Sequence, residues 1–154
     1  MVTIVLGQTQ CELCGQGTFQ DKGGQTSCTA CQVGTFADNT GLKNCLKCFP
    51  GSYQPNEGAS SCVDCAVGFY QSKFGQYKCE PCSVGGYCEA VDKSDGGFTP
   101  CNPGTYNNMT GQMNATSACE QCPPGTYSAT SGASSSDTCI ACRAGTYSNQ
   151  TGKS

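Results

Sequence analysis

The sequence predicts a small disulfide-rich repeat protein, an elongated ladder of short disulfide-closed β-hairpins with mostly irregular backbone. Three observations lead there. Cysteine makes up 16 of the 154 residues, the density of a disulfide scaffold rather than of a chain with an ordinary core. Leu, Ile, Val and Phe together number only 19, too little aliphatic surface for the single core that a domain of this length normally builds. Ordering costs roughly 1–2 kcal/mol per residue, so cross-links or metal must hold this chain if it folds. Finally, the cysteines recur in step, at 11, 14, 28, 31, 45, 48, 62, 65, 79, 82, 88, 101, 119, 122, 139 and 142. The first ten form five C-x-x-C pairs at a constant spacing of 17 residues. Such self-similarity is the signature of a repeat architecture.

The elements follow in chain order. Residues 1–10 are an N-terminal flank, expected to be cut from a longer chain. Residues 11–81 are an array of 17-residue C-x-x-C repeats, 82–100 an irregular insert, and 101–154 an array of longer repeats of about 20 residues whose last unit is incomplete. Each repeat opens with C-x-x-G-x-aromatic: CGQGTF at Cys14, CQVGTF at Cys31, CFPGSY at Cys48, CAVGFY at Cys65, CSVGGY at Cys82, CNPGTY at Cys101, CPPGTY at Cys122 and CRAGTY at Cys142. The glycine at the third place after the cysteine permits a turn with positive φ. Thr or Ser followed by Tyr or Phe favours a short extended segment. A second glycine ten places after the cysteine recurs in seven of the eight repeats and favours the return turn; the Cys82 repeat has Asp92 there. The single aromatic is the one large side chain in each unit, and the expectation is that it fills the core over the disulfide.

C-x-x-C pairs in series are also a zinc-ribbon signal. Two features favour disulfides. The series runs through seven pairs and two further cysteines, Cys88 and Cys101, which four-ligand sites do not explain. Three N-x-S/T sequons, at Asn108, Asn114 and Asn149, lie in polar loops, where an extracellular protein carries glycans. Two pairing rules fit the spacing. The simpler joins the second cysteine of one C-x-x-C to the first of the next: Cys14–Cys28, Cys31–Cys45, Cys48–Cys62, Cys65–Cys79, Cys101–Cys119 and Cys122–Cys139, with Cys82–Cys88 as the leftover internal pair and Cys11 and Cys142 unpaired within the segment. The rival rule staggers partners, as in Cys11–Cys28 with Cys14–Cys31. Under the simpler rule each regular loop contributes about 3 kcal/mol by restricting the unfolded chain.

The pattern C-x-x-G-[ST]-[FY]-…-G-…-C-x-x-C, traceable from Cys11 to Ser154, resembles the cysteine-rich repeats of ephrin-receptor-like and TNF-receptor-like extracellular proteins. In the TNF-receptor-like modules, the cysteine that opens C-x-x-G-[ST]-[FY] bonds the first cysteine of the following C-x-x-C. The resemblance therefore implies the simpler rule for the six regular loops. It also implies an extracellular or cell-surface location. Function is less constrained, because such repeats serve receptors, adhesins and matrix alike.

Composition excludes several functions. With no His, the commonest general base is missing. A net charge of -3 gives no nucleic-acid footprint. The apolar run at Thr3–Leu6 is far short of a membrane span. C-x-x-C as a redox motif belongs to a βαβ context that is absent here. Asp92 and Asp95 faintly suggest a calcium loop, but an exposed turn is the simpler reading because the later glutamate and the ligand count are missing. Residues 128–138, rich in Ser and Thr, read as a flexible loop open to O-glycosylation. The expectation is a non-enzyme without cofactor, a disulfide-stapled rod in a filament, coat or matrix. Its expected partners are copies of itself or other extracellular proteins, with covalent glycans, no nucleic acid and no direct membrane insertion. A ligand-binding ectodomain of a receptor or adhesin is the alternative, and a zinc protein the remote one.

Overall fold

A computed structural model describes residues 10–89 and 97–154. The described residues form seven two-stranded antiparallel ladders, each strand two residues long. β1 (Thr18–Phe19) pairs with β2 (Thr29–Ala30), β3 (Thr35–Phe36) with β4 (Leu46–Lys47), and β5 (Ser52–Tyr53) with β6 (Val63–Asp64). The series continues as β7 (Phe69–Tyr70) with β8 (Glu80–Pro81), β9 (Gly86–Tyr87) with β10 (Thr99–Pro100), β11 (Thr105–Tyr106) with β12 (Glu120–Gln121), and β13 (Thr126–Tyr127) with β14 (Ile140–Ala141). Every first strand is the [TSFG]-[FY] step after the repeat's glycine. Every second strand is the pair of residues just before the next opening cysteine. The stretch expected as an irregular insert at 82–100 thus carries the same hairpin over its described residues. Asp92 and Asp95 lie outside the described residues.

The chain divides into two compact units, one of Met1–Cys65 with Gln71–Cys79, the other of Ala66–Tyr70 with Glu80–Ser154. One backbone rule operates inside each. The N–H of the glycine three places after the opening cysteine donates to the carbonyl six places into the next repeat. In the first unit these bonds are Gly17 to Ala37, Gly34 to Gln54 and Gly51 to Gln71, at 2.7–2.9 Å. In the second they are Gly68 to Cys88, Gly85 to Asn107, Gly104 to Ser128 and Gly125 to Ser148, at 2.7–3.0 Å. The glycine's own carbonyl accepts from the next opening cysteine, as from Cys48 N–H to Gly34. In six repeats the second glycine donates back to the opening cysteine of the repeat before it, as from Gly75 N–H to the Cys48 carbonyl at 2.8 Å.

These glycines have positive φ, from 68° to 88°. Gly34 shows why a side chain is not tolerated there. It sits at φ +78° with its missing Cβ pointed at the carbonyl of Gly75, two repeats further on. The same approach joins Gly17 to Gly58 in this unit, and Gly68 to Gly111, Gly85 to Gly132 and Gly104 to Gly152 in the other. Spacing of single repeats revealed the turn but not this contact between next-nearest neighbours.

The core differs from expectation. The repeat aromatics Phe19, Phe36, Tyr53, Tyr70, Tyr87 and Tyr127 are only half-buried, Tyr106 is buried and Tyr147 is exposed. The buried places include seven of the eight opening cysteines and, in six repeats, the residue six places after them: Ala37, Gln54, Gln71, Cys88, Asn107 and Ser128. That residue is enclosed because its backbone is bonded on both sides. The Ala37 carbonyl accepts from Gly17 in the repeat before, and the Ala37 N–H donates to Ala59 in the repeat after. Where the residue is polar, it satisfies its own loop, and Asn107 Nδ2 also donates to the Gly86 carbonyl of the repeat before at 2.7 Å. Gln54 Nε2 donates to the Ser61 carbonyl at 2.7 Å, and its Oε1 accepts from Asn56 N–H at 3.0 Å. Gln71 does the same with Lys78 and Lys73.

The longer repeats place their extra residues in helical turns just before the closing cysteine. Asn114 Oδ1 caps α1 (Ala115–Ala118) by accepting from Ser117 N–H at 2.9 Å. Ser135 Oγ caps a 3₁₀ turn over Ser136–Thr138 by accepting from Asp137 N–H at 3.0 Å. The Ser- and Thr-rich stretch expected as a flexible loop is therefore built. Ser128 is fully buried, Ala133 bridges to Tyr106, and the capped turn precedes Cys139.

Substituting Gly34→Ala should destabilise the protein by at least about 2 kcal/mol, from the left-handed backbone and the collision with Gly75. Gly15→Ala meets nothing within 4 Å and should change stability by no more than about 0.5 kcal/mol. Guanidinium unfolding with the disulfides intact, followed by tyrosine fluorescence, separates the two; equal losses would contradict the next-nearest contact.

Candidate functional site

The sites open to chemistry are the disulfides, two thiols, three sequons and the side chains left outside the backbone lattice. Seven disulfides join Cys14–Cys28, Cys31–Cys45, Cys48–Cys62, Cys65–Cys79, Cys82–Cys88, Cys101–Cys119 and Cys122–Cys139, with Cα–Cα separations of 5.6–5.8 Å. Four close 14-residue steps, two close steps of 18 and 17, and Cys82–Cys88 closes 6. Cys11 is an exposed thiol and Cys142 a half-buried one. Among the described residues no three His, Cys, Asp or Glu side chains stand together as a metal site.

Cys82–Cys88 has a local cause. Register sets Thr99 opposite Tyr87 as Thr29 is opposite Phe19. Phe98, one residue before Thr99, therefore occupies the place that Cys28 holds in the first hairpin. Cys82 has no partner there and bonds Cys88, the enclosed residue six places on. The Phe98 ring lies over Gly86, where an added Cβ would collide with the Thr99 carbonyl and stand 2.5 Å from Phe98 Cζ. This is why the Cys82 repeat reads G-G-Y where most others have G-T-[FY] or G-S-Y. The Tyr70 ring packs against Phe98, tilted, at a centroid distance of 6.0 Å. Sequence reasoning missed Phe98 because a lost cysteine looks like an insertion; the surviving signal was F-T-P-C in the place of C-x-x-C.

Asn108, Asn114 and Asn149 are all exposed. Asn108 and Asn149 each stand seven places after an opening cysteine, in two repeats that touch through Gly104 and Gly152. Across the β11–β12 ladder, Tyr106 faces Glu120. Burial and the neighbouring Glu120 carboxylate push the Tyr106 phenol above its ordinary value. Two exposed rings, Phe49 and Phe74, meet edge to face at 5.6 Å.

A family model described as tyrosine-protein kinase ephrin type A/B receptor-like matches residues 3–44, 34–66 and 57–96 in overlapping copies, together more than half of the chain. The chain belongs to the ephrin-receptor-like cysteine-rich repeat family. No curated protein matches it. The ephrin-receptor-like repeats and the disulfides make this an extracellular, receptor-like module. Among the described residues no helix is long and apolar enough to cross a membrane.

The equivalence of Phe98 and Cys28 can be checked directly. In a Phe98→Cys/Cys88→Gln double variant, peptide mapping should find Cys82 joined to the new thiol at position 98, with the other six disulfides unchanged. A free or scrambled Cys82 would show that Phe98 does not occupy the closing position.

Proposed function

We propose that the segment is a structural interaction module of a large extracellular protein, a disulfide-stapled stretch within a cell-surface filament, coat or matrix. Uniformity is the observation that supports this reading best. In both units the same backbone bonds join one repeat to the next, so the faces between repeats serve the array. A chain without His whose cysteines are mostly oxidised offers little to general base or thiolate chemistry, which supports a non-catalytic role. Its partners in this reading are copies of itself or other extracellular proteins, and its covalent additions are glycans on Asn108, Asn114 and Asn149. A ligand-binding ectodomain of a receptor or adhesin is the second reading. It is favoured by the exposed Phe49–Phe74 pair, since exposed aromatics near cations are common anchors for a partner.

Two measurements on native-source material test these readings. Glycopeptide mass spectra should show glycans at all three sequons; three bare asparagines would count strongly against a secretory route. Sedimentation in detergent, with and without a thiol reductant, should pellet the protein as a large particle. A small soluble species in detergent alone would remove the main support for a filament or matrix and leave the ectodomain reading.

A further inference from the structure

Four of the eight basic residues fall in two stretches that carry no acid, residues 39–56 and 65–79, in a chain of net charge -3. The fold brings parts of those stretches together within one unit. Gly75 N–H donates to the Cys48 carbonyl at 2.8 Å. The Lys47 stem lies along Gly75, its Cδ 3.4 Å from the place of an added Cβ. Phe49 and Phe74 then meet on the outside, 65% and 55% exposed. Lys73 precedes Phe74 in its turn, and Lys43, Lys47 and Lys73 are all exposed. Two bare rings in water are unfavourable without a partner. Rings on segments that carry exposed lysines and no carboxylate make a cationic, apolar patch on an acidic molecule.

We propose that this patch, Phe49 and Phe74 with Lys43, Lys47 and Lys73, binds a sulfated polysaccharide. The ring faces take the C–H faces of the sugars, and the ammonium groups take the sulfates by charge-assisted hydrogen bonds. A lysine belongs to each ring's own segment, Lys47 two residues before Phe49 and Lys73 one before Phe74, so both arms of the aromatic pair carry charge. That arrangement suits an extended polyanion with repeating sugar faces better than a single acidic side chain. The inference goes beyond the structural-module reading and does not depend on it, because either an array or an ectodomain could present the patch.

The test is binding of the oxidised 154-residue chain to immobilised heparin. Hyaluronan serves as an unsulfated acidic polysaccharide and polyglutamate as an acidic peptide. Binding to heparin should be at least tenfold tighter than to either control, and should weaken as salt screens the charges. Phe49→Ala/Phe74→Ala and Lys47→Gln/Lys73→Gln should each cost about tenfold. Both pairs are exposed, so disulfide mapping should show the native pairing in each variant. Absence of heparin binding at low ionic strength would overturn the proposal. So would binding that the Phe substitutions leave unchanged, which marks general cation attraction, or tighter binding to polyglutamate, which marks an acidic protein partner.

Discussion

Six opening cysteines, Cys14, Cys31, Cys48, Cys82, Cys101 and Cys122, each hold two structures at once. The sulfur closes a loop, and the carbonyl receives the N–H of the second glycine in the following repeat, as Cys48 does for Cys62 and Gly75. Closing a loop of this size restricts the unfolded chain, worth about 3 kcal/mol in the entropic account, and the same closure fixes the carbonyl as an acceptor. A ladder of two residues per strand could not hold its own shape in water. Here it does not have to, because the disulfide and the next repeat define it from both sides.

Next-nearest contact adds a second requirement. Gly34 approaches Gly75 across an intervening repeat, and Gly85 approaches Gly132 likewise in the other unit. In a simple stack, a repeat depends only on its neighbours. Here the absence of a side chain at one glycine is demanded by a backbone some forty residues away. This adds to the positive φ that all eight glycines at that third place share, and it operates at Gly17, Gly34, Gly68, Gly85 and Gly104, while the aromatic two places later is either Phe or Tyr.

Much of this was legible in the residues, and the remainder was hidden for definite reasons. Cysteine and glycine are chosen for covalent and backbone geometry that few other residues supply, so their spacing showed the hairpins and their turns. The residue six places after the opening cysteine, enclosed in six repeats, gave no such sign. It is Ala37, Gln54, Cys88, Asn107 or Ser128, because burial there comes from backbone bonds on both sides and the side chain need only fit or satisfy its own loop. The caps Asn114 and Ser135 were present as letters, but a sequon and a serine-rich run masked them. For the candidate sites, the sequons could be read directly. The Phe49–Phe74 pair could not, since its two members lie in different repeats and are joined only through Gly75 and Cys48.

The Cys82 repeat shows which of the two supports defines the unit. Its closing cysteine is replaced by Phe98 and its disulfide shortened to Cys88, yet Gly68 N–H still donates to the Cys88 carbonyl and Cys88 N–H to Gln112. The ladder between Gly86–Tyr87 and Thr99–Pro100 also survives. The backbone lattice is therefore kept when the covalent closure moves, with the Phe98 ring over Gly86. A repeat built this way makes few demands on its outward side chains. Rings such as Phe49 and Phe74 can stay in water without loss of the fold, and any specificity of the module must be sought among those outward residues rather than in the repeat that carries them.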